Sequence, residues 1–403
     1  MLTVITPQEA RKIIFDRFMP LYTPTESVAL ADALGRSLYD DIVSDEYVPG
    51  FNRSTVDGYA VVASDTFGCS ESIPAVLELR GEVLMGESAR YTLTPGNCVA
   101  VSTGGDLPEG ADAVVMLERC EVYGERLIGV TSPIAPGNNI IYKGDDVSPG
   151  EMVLLKGTCV SPRDIGILAA LGRSRINVRP KPTVAVISSG DELVDTQQTP
   201  ERGQIRDVNA PMLEALIINS GATSINYGII RDDENALRRI VKKAVGECDA
   251  VLLSGGSSAG TRDLTARVVG SEGEILFHGI AMKPGKPTIL GAIDGKPFFG
   301  LPGHPVAAYF VAELFIRPLI ARMMGSETKQ RTVTSRISET LSSNHGRAEF
   351  VAVVLSDDGA SATPIRGKSG LITKLAHSDG YICVPRDSEG VAKGALVTVT
   401  YWD

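Results

Sequence analysis

The sequence predicts an α/β core with a mostly parallel sheet, plus an inserted β-rich domain, an elongated N-terminal helical linker domain and a C-terminal β-barrel. Three observations predict this. Strand and helix signals alternate between Arg179 and about Gly325, the pattern of βαβ crossovers. Helix periodicity fades from about Tyr47 to Leu155, where short apolar runs are separated by Gly, Pro and Asn. Beyond Gly325 apolar and polar residues alternate again, as in Phe350-Val351-Ala352-Val353-Val354 and Ala395-Leu396-Val397-Thr398-Val399-Thr400, which reads as a small barrel or sandwich.

The chain opens on a capping box, Thr6-Pro7-Gln8-Glu9, with Pro at the first helical position and Ala10, Ile13 and Ile14 as an apolar face; Pro20 stops the helix. A second amphipathic helical stretch is expected over Glu26 to Leu38. In the core, Thr183 to Ile187 is a buried strand ending at Ser188-Ser189-Gly190, and Pro211 to Asn219 is a helix closed by Gly221. Ser224 to Ile230 is a strand, Glu234 to Val245 a helix capped by Asp232 or Asp233, and Asp249 to Leu253 a strand. Leu264 to Val269, Glu274 to Ile280 and Val306 to Met323 follow as short helix, strand and long helix, the last interrupted near Pro318.

Composition narrows the functions. The 403 residues suit two to three domains. With 43% apolar and 22% charged residues there is material for packed cores, and the net charge of −10 argues against a nonspecific DNA binder. No signal peptide or membrane-length apolar run is visible. The six cysteines are scattered, without a C-x-x-C pair, and read as reduced, mostly buried thiols of a cytoplasmic protein. The four histidines show no zinc-ligand spacing.

Three strand exits carry chemistry, and ligands of open α/β sheets bind beyond such exits. Ser188-Ser189-Gly190-Asp191-Glu192 offers carboxylates, although alone it reads first as a turn with a helix cap. Ser254-Gly255-Gly256-Ser257-Ser258-Ala259-Gly260-Thr261-Arg262-Asp263 runs from a strand into a helix, so its backbone N–H groups can face an anion. It matches neither the dinucleotide nor the P-loop fingerprint, and Asp263 is either a Mg²⁺ ligand or a cap. Lys283-Pro284-Gly285-Lys286-Pro287, followed by Gly300-Leu301-Pro302-Gly303-His304-Pro305, makes a rigid cationic corner suited to an oxyanion. Taken together, the three exits describe a site for a phosphorylated ligand with a divalent cation.

These segments occur with Arg53-Ser54-Thr55-Val56-Asp57-Gly58-Tyr59-Ala60, Ser102-Thr103-Gly104 and Gly228-Ile229-Ile230-Arg231-Asp232-Asp233. In that order and over essentially the whole length, the chain resembles the MoeA/gephyrin family of molybdopterin molybdenumtransferases. The resemblance implies four parts: residues 1–46 and 140–178 as the discontinuous linker domain, 47–139 as the β-rich insertion, 179–326 as the molybdopterin-binding domain and 327–403 as the barrel. It implies Mg²⁺-dependent insertion of molybdate into adenylylated molybdopterin, with release of AMP, in the cytoplasm.

By the same resemblance Asp57 and Thr103 face the active site of a partner subunit, which implies a homodimer. Glu192, Asp232 and Asp263 hold Mg²⁺ and position water, and Asp146 is a further acidic match. Ser254, Gly255, Gly256, Ser258, Lys283 and Lys286 bind the substrate and the oxyanion, joined by Arg347 and Ser369 of the tail. The expected partners are the adenylylated molybdopterin, a second copy of the chain and the adenylyltransferase that supplies the substrate, with no nucleic acid or membrane. His304 stands where the family commonly has Asn, Ala307 where it has Ser, and Leu264 where an aromatic follows the aspartate. Tungstate in place of molybdate, a gephyrin-type scaffold and a related nucleotide enzyme are the alternatives. The missing fused domain disfavours the scaffold, and the insertion and tail disfavour the nucleotide enzyme.

Overall fold

The computed structural model describes residues 4–18, 25–255, 261–328 and 330–402, and excludes the side chains of 261–263. The core sheet contains β1 (Thr183–Ser189), β2 (Thr223–Ile230), β3 (Ala250–Gly255), β4 (Glu274–His278), β5 (Ile289–Ile293) and β6 (Lys296–Leu301). Their spatial order is β2-β1-β3-β6-β5-β4. The β2–β1, β1–β3 and β3–β6 pairings are parallel and β6–β5 and β5–β4 antiparallel, so the sheet is mixed but mostly parallel, with β5 alone running against the other five strands. The antiparallel part comes from the β5–β6 hairpin, which the sequence reading lacked. Its signal is Asp294-Gly295, both at positive φ (49° and 75°), the dipeptide that favours a two-residue hairpin turn.

Alternation along the strands sorts the core onto two faces. Val184, Val186 and Leu252 pack with Leu213, Leu216 and Ile217 of helix α1 (Asn209–Asn219) and with the helix that begins at Pro305. Ala185, Ile187, Val251 and Leu253 face the other way, onto Leu237 and Val241 of α2 (Glu234–Glu247) and Val268 of α3 (Thr261–Glu272). Asp233 caps α2, its carboxylate accepting from the Ala236 N–H at 2.6 Å. The helix from Pro305 does run to Met323, but its irregularity lies at Ala312–Ile316, a π-helical turn just ahead of Pro318, which has no N–H to continue the ladder.

The N-terminal capping box forms as expected and starts a helix over Pro7–Arg17; Pro20 lies outside the described residues. The expected helix over Glu26 to Leu38 is overturned. Glu26–Ala29 is a strand paired antiparallel with Arg175–Val178, Leu30–Asp32 is a single 3₁₀ turn, and Gly35 sits at φ 72°. Tertiary pairing overrides the local helical pattern, because Val28 and Ile176 bury one another across that ladder. The region around residues 25–46 and 140–178 is therefore short ribbons plus one helix, Pro162–Ala170, and not chiefly helical.

Residues of the β insertion form a separate six-stranded sheet whose core includes Tyr59, Val61, Leu77, Val115 and Ile128. The tail is a closed five-stranded barrel. Ala348–Leu355 pairs with Ser361–Pro364, which pairs with Thr332–Ile337, then Leu396–Tyr401, then Gly380–Val384, which returns to Ala348–Leu355. Several contacts fasten the barrel to the core, among them a short ladder and an aromatic cluster. Met282 and Lys283 join its sheet in parallel register with Ala348 and Glu349. Trp402 packs its ring against Tyr309 and Phe310 of the Pro305 helix (centroids 5.3 and 5.4 Å) and against Tyr381 of the barrel (4.9 Å). Among the cysteines, Cys98 and Cys248 are buried, but Cys159 and Cys383 are exposed, so the expectation of mostly buried thiols fails at those two positions.

Candidate functional site

Registry brings the chemistry-bearing segments to one edge of the core sheet. Ser189 of β1 lies beside Gly255 of β3, and Ser254 beside Leu301 of β6. Because β5 runs antiparallel to β6, with Ile289 opposite Gly300, its start lies at the same edge, and Lys286 precedes that start by three residues. The edge thus reads Asp232, Ser189 to Glu192, Ser254, His304, Lys286.

The acidic end is held by hydrogen bonds. The Ser189 hydroxyl donates to Asp232 Oδ1 at 3.0 Å, and the Asp232 N–H to Asp191 Oδ1 at 3.4 Å. The Asp232 carboxyl is pushed above its ordinary pKa, first by burial and then by the charges of Asp191 and Glu192; the Ser189 hydrogen bond opposes this. At mid-edge the buried Asn209 amide donates to Ser254 Oγ at 2.7 Å and to the Gly303 carbonyl at 2.9 Å. Asn209 itself is placed by Asp207, whose carboxylate accepts from the N–H groups of Asn209 and Ala210 at 3.1 Å.

The basic end is a cavity of about 910 Å³ between core and barrel. Lys283, Lys286, Arg347, Arg366, Lys368 and Lys374 line it, and Glu349 is the single carboxylate among its described lining residues. Gly285, at φ 111°, lets the Lys283–Pro287 turn rest on the Pro305 helix, since a Cβ there would come within 2.9 Å of Val311. Burial holds the Lys374 ammonium below the ordinary lysine range. The Arg366 guanidinium is engaged by Glu339 at 2.9 Å and the Thr340 carbonyl at 2.7 Å. His304 Nδ1 and the Ser369 hydroxyl lie 2.9 Å apart, tying the β6 exit loop to the barrel. Ala307 lines the cavity with a methyl group and no hydroxyl.

A third group stands on the insertion sheet, where Asp57 Oδ1 accepts from the Thr103 N–H at 2.7 Å and from the Thr103 hydroxyl at 3.2 Å. Both residues are exposed.

Comparison with known proteins fits this arrangement. Three family models match in chain order: "MoeA N-terminal region (domain I and II)" over residues 5–172, "Probable molybdopterin binding domain" over 185–322 and "MoeA C-terminal region (domain IV)" over 334–402. The molybdopterin molybdenumtransferase of Bacillus subtilis is 34% identical over 383 residues, covering 93% of this chain and 89% of that one. Its counterpart in Staphylococcus epidermidis is 31% identical over 405 residues, covering 98% and 95%. A crystal structure of the molybdopterin biosynthesis MoeA protein from Pyrococcus horikoshii superposes with a TM-score of 0.87 at 35% identity, covering 99% of this chain and 100% of that one. This chain belongs to the MoeA family. It is an enzyme of molybdenum cofactor biosynthesis, of the molybdopterin molybdenumtransferase type.

Within the MoeA frame the expected residues fall into three groups. Lys283, Lys286, Arg347 and Ser369 share one cavity. Asp232 and Glu192 interact at the acidic end. Asp57 and Thr103 pair on the insertion. Ser254 is buried beneath the edge, bonded to Asn209, and Gly255 follows it at the end of β3. Gly256, Ser258 and the Asp263 side chain lie outside the described residues. Asp146 is exposed, its N–H bonded to the Val48 carbonyl at 3.1 Å. Among the described residues no three His, Cys, Asp or Glu side chains are grouped to hold a metal ion.

Sequence reasoning missed five residues of this candidate site: Asn209, Glu349, Arg366, Lys368 and Lys374. Glu349 had a signal, since it follows Arg347 by two residues and so shares its side of an extended chain. Lys368 and Lys374 lie in a stretch of weak periodicity, and only the fold brings them to Lys283.

Proposed function

We propose that the chain cleaves the phosphoanhydride of adenylylated molybdopterin, releasing AMP, and that the dithiolene takes molybdenum from molybdate, two Mo–S bonds forming as one Mo–O bond breaks and its oxygen leaves as water with the two thiol protons. The observation that supports this reading most is the cationic cavity at the carboxyl edge of the molybdopterin-binding domain. Molybdate is a tetrahedral dianion, and it would find ammonium and guanidinium donors from Lys283, Lys286 and Arg347 with a hydroxyl from Ser369. Six cationic side chains against one carboxylate give the cavity a strong preference for anions.

The acidic end suits the anhydride. Carboxylates gathered at one strand exit, where Asp191 and Glu192 add to the burial that raises the Asp232 pKa, are the oxygen donors a hard divalent cation favours, so Mg²⁺ fits here. Glu192 and Asp232, with Asp263, would hold it, and when bound it would neutralise charge on the phosphates. Asp232, with its raised pKa, is suited to accept a proton from an attacking water. Water adds to phosphorus, the anhydride P–O bond breaks and AMP departs. Asp57 and Thr103 complete the site from the insertion of a second copy, in a homodimer.

Incubation with adenylylated molybdopterin, Mg²⁺ and molybdate tests the reading. AMP release is expected from the unaltered chain and at most about 1% of it from Asp232→Asn or Lys286→Ala. Unchanged turnover by both variants would overturn it. Tungstate is expected to substitute, since the cavity reads charge and shape.

A further inference from the structure

A cavity that collects anions has one feature that works against it: the carboxylate of Glu349 lines it. That carboxylate is not a solvated bystander. Its side chain is only 13% exposed, and one oxygen lies 2.7 Å from Lys283 Nζ. The other accepts from the Ser343 hydroxyl at 2.7 Å. The backbone fixes the partners as well, because Lys283 and Glu349 are register partners in the parallel pairing that joins core to barrel. Burying a carboxylate is costly unless it is paired, and here both oxygens are satisfied. Lys283 in turn keeps 58% of its side chain exposed toward the cavity. The ammonium is therefore shared between a fixed internal carboxylate and whatever anion enters.

We propose that Glu349 is a positioning residue and built-in counter-ion, which orients Lys283 and limits how tightly the cavity holds a dianion. This deepens the proposed function and rests on its reading of the cavity as the oxyanion site. The reaction gives the limit a purpose. The metal oxyanion must be bound and then surrendered to the dithiolene, and binding that is strong in the ground state alone slows the following step. A negative charge beside Lys283 lowers the positive potential of the whole cavity. That penalty scales with the charge of the guest, so a dianion feels it twice as strongly as a monoanion of similar shape. The geometry keeps Glu349 itself in place, because Ser343 holds the carboxylate oxygen that Lys283 does not.

The test compares Glu349→Gln with Glu349→Asp and the unaltered chain. Calorimetric titration with molybdate and with perrhenate, a tetrahedral monoanion, reads both affinities at two ionic strengths. The amide keeps the shape and removes the charge. Molybdate is expected to bind roughly ten- to a hundredfold tighter to Glu349→Gln, and perrhenate only about the square root of that factor tighter. Glu349→Asp is expected to stay within about threefold of the unaltered chain. In turnover, Glu349→Gln is expected to lower both KM for molybdate and kcat. In a Lys283→Met background the same change is expected to tighten molybdate at least as much, because the buried carboxylate then meets the dianion without its ammonium partner. Equal shifts for the two anions, or weaker molybdate binding by a Glu349→Gln protein of unchanged Tm, would overturn the counter-ion role. If the unaltered chain bound no molybdate and Lys286→Ala changed nothing, the oxyanion reading of the cavity would fall first, and this proposal with it.

Discussion

Asp57 holds Thr103 through two hydrogen bonds, one to the backbone N–H and one to the hydroxyl, and both bonds end on the same carboxylate oxygen. The other oxygen, Oδ2, accepts neither bond, on an exposed face of the insertion sheet. If this pair serves the site of a second copy, two inactive variants should rescue one another. Coexpressed Asp57→Ala and Lys286→Ala chains form mixed dimers with one intact site, so about a quarter of normal AMP release is expected, against almost none from either alone. Absence of rescue would mean that each chain works with its own Asp57.

Cations of the cavity should act on oxyanion handling more than on the fold. Lys286→Ala and Arg347→Ala are each expected to raise KM for molybdate at least tenfold, an estimate of about 1.4 kcal/mol or more per charge-assisted contact. Tm should change little, since both side chains reach solvent. The loss should shrink as salt is added, because partly exposed charges are screened.

Asp232 sets stability against use. Its pKa is raised in the folded protein, so the ionised form is disfavoured there relative to the unfolded chain. The penalty is fully present above the raised value, falls as pH is lowered through that window, and is gone below the ordinary value. Asp232→Asn is therefore expected to raise Tm at neutral pH, with the difference vanishing in acid, while abolishing AMP release. Added Mg²⁺ should raise Tm of the unaltered chain more than that of the variant, and chelation should reverse the gain. Thermal melts across pH, with and without the ion, check all three.

Asn209 joins two strand exits, and its loss should be structural first. Asn209→Ala leaves the buried Ser254 hydroxyl and the Gly303 carbonyl without their shared donor. A loss of about 1–3 kcal/mol is expected, read by denaturant unfolding. Because Gly303 adjoins His304, KM for molybdate should rise as well, whereas Asn209→Ser should recover part of both effects.

The legible part of this molecule was the part governed by short-range pattern. The Thr6 capping box, the Asp233 cap and the alternating strands of the barrel each form from residues a few positions apart. Expectation failed where a distant segment decided the outcome. Glu26 to Leu38 carries an amphipathic pattern, but Arg175–Val178 captures its first residues as a strand. Asp294-Gly295 did announce a hairpin, and its omission left the one reversed strand of a mostly parallel sheet unread. Within the site, Lys283 and Lys286 were readable as a motif clamped by prolines. Lys374 was not, because its place beside them depends on barrel closure.

The two-residue ladder between Met282-Lys283 and Ala348-Glu349 has an evolutionary consequence. A terminal module is ordinarily free to be exchanged, lost or repurposed. Here one wall of the anion chamber is stitched to the other, so grafting the tail of a distant homologue would import Arg347, Glu349 and Ser369 along with it. Lineages that reshape this appendage must reshape the charged chamber at the same stroke, and drift on the two sides of the seam should therefore be correlated.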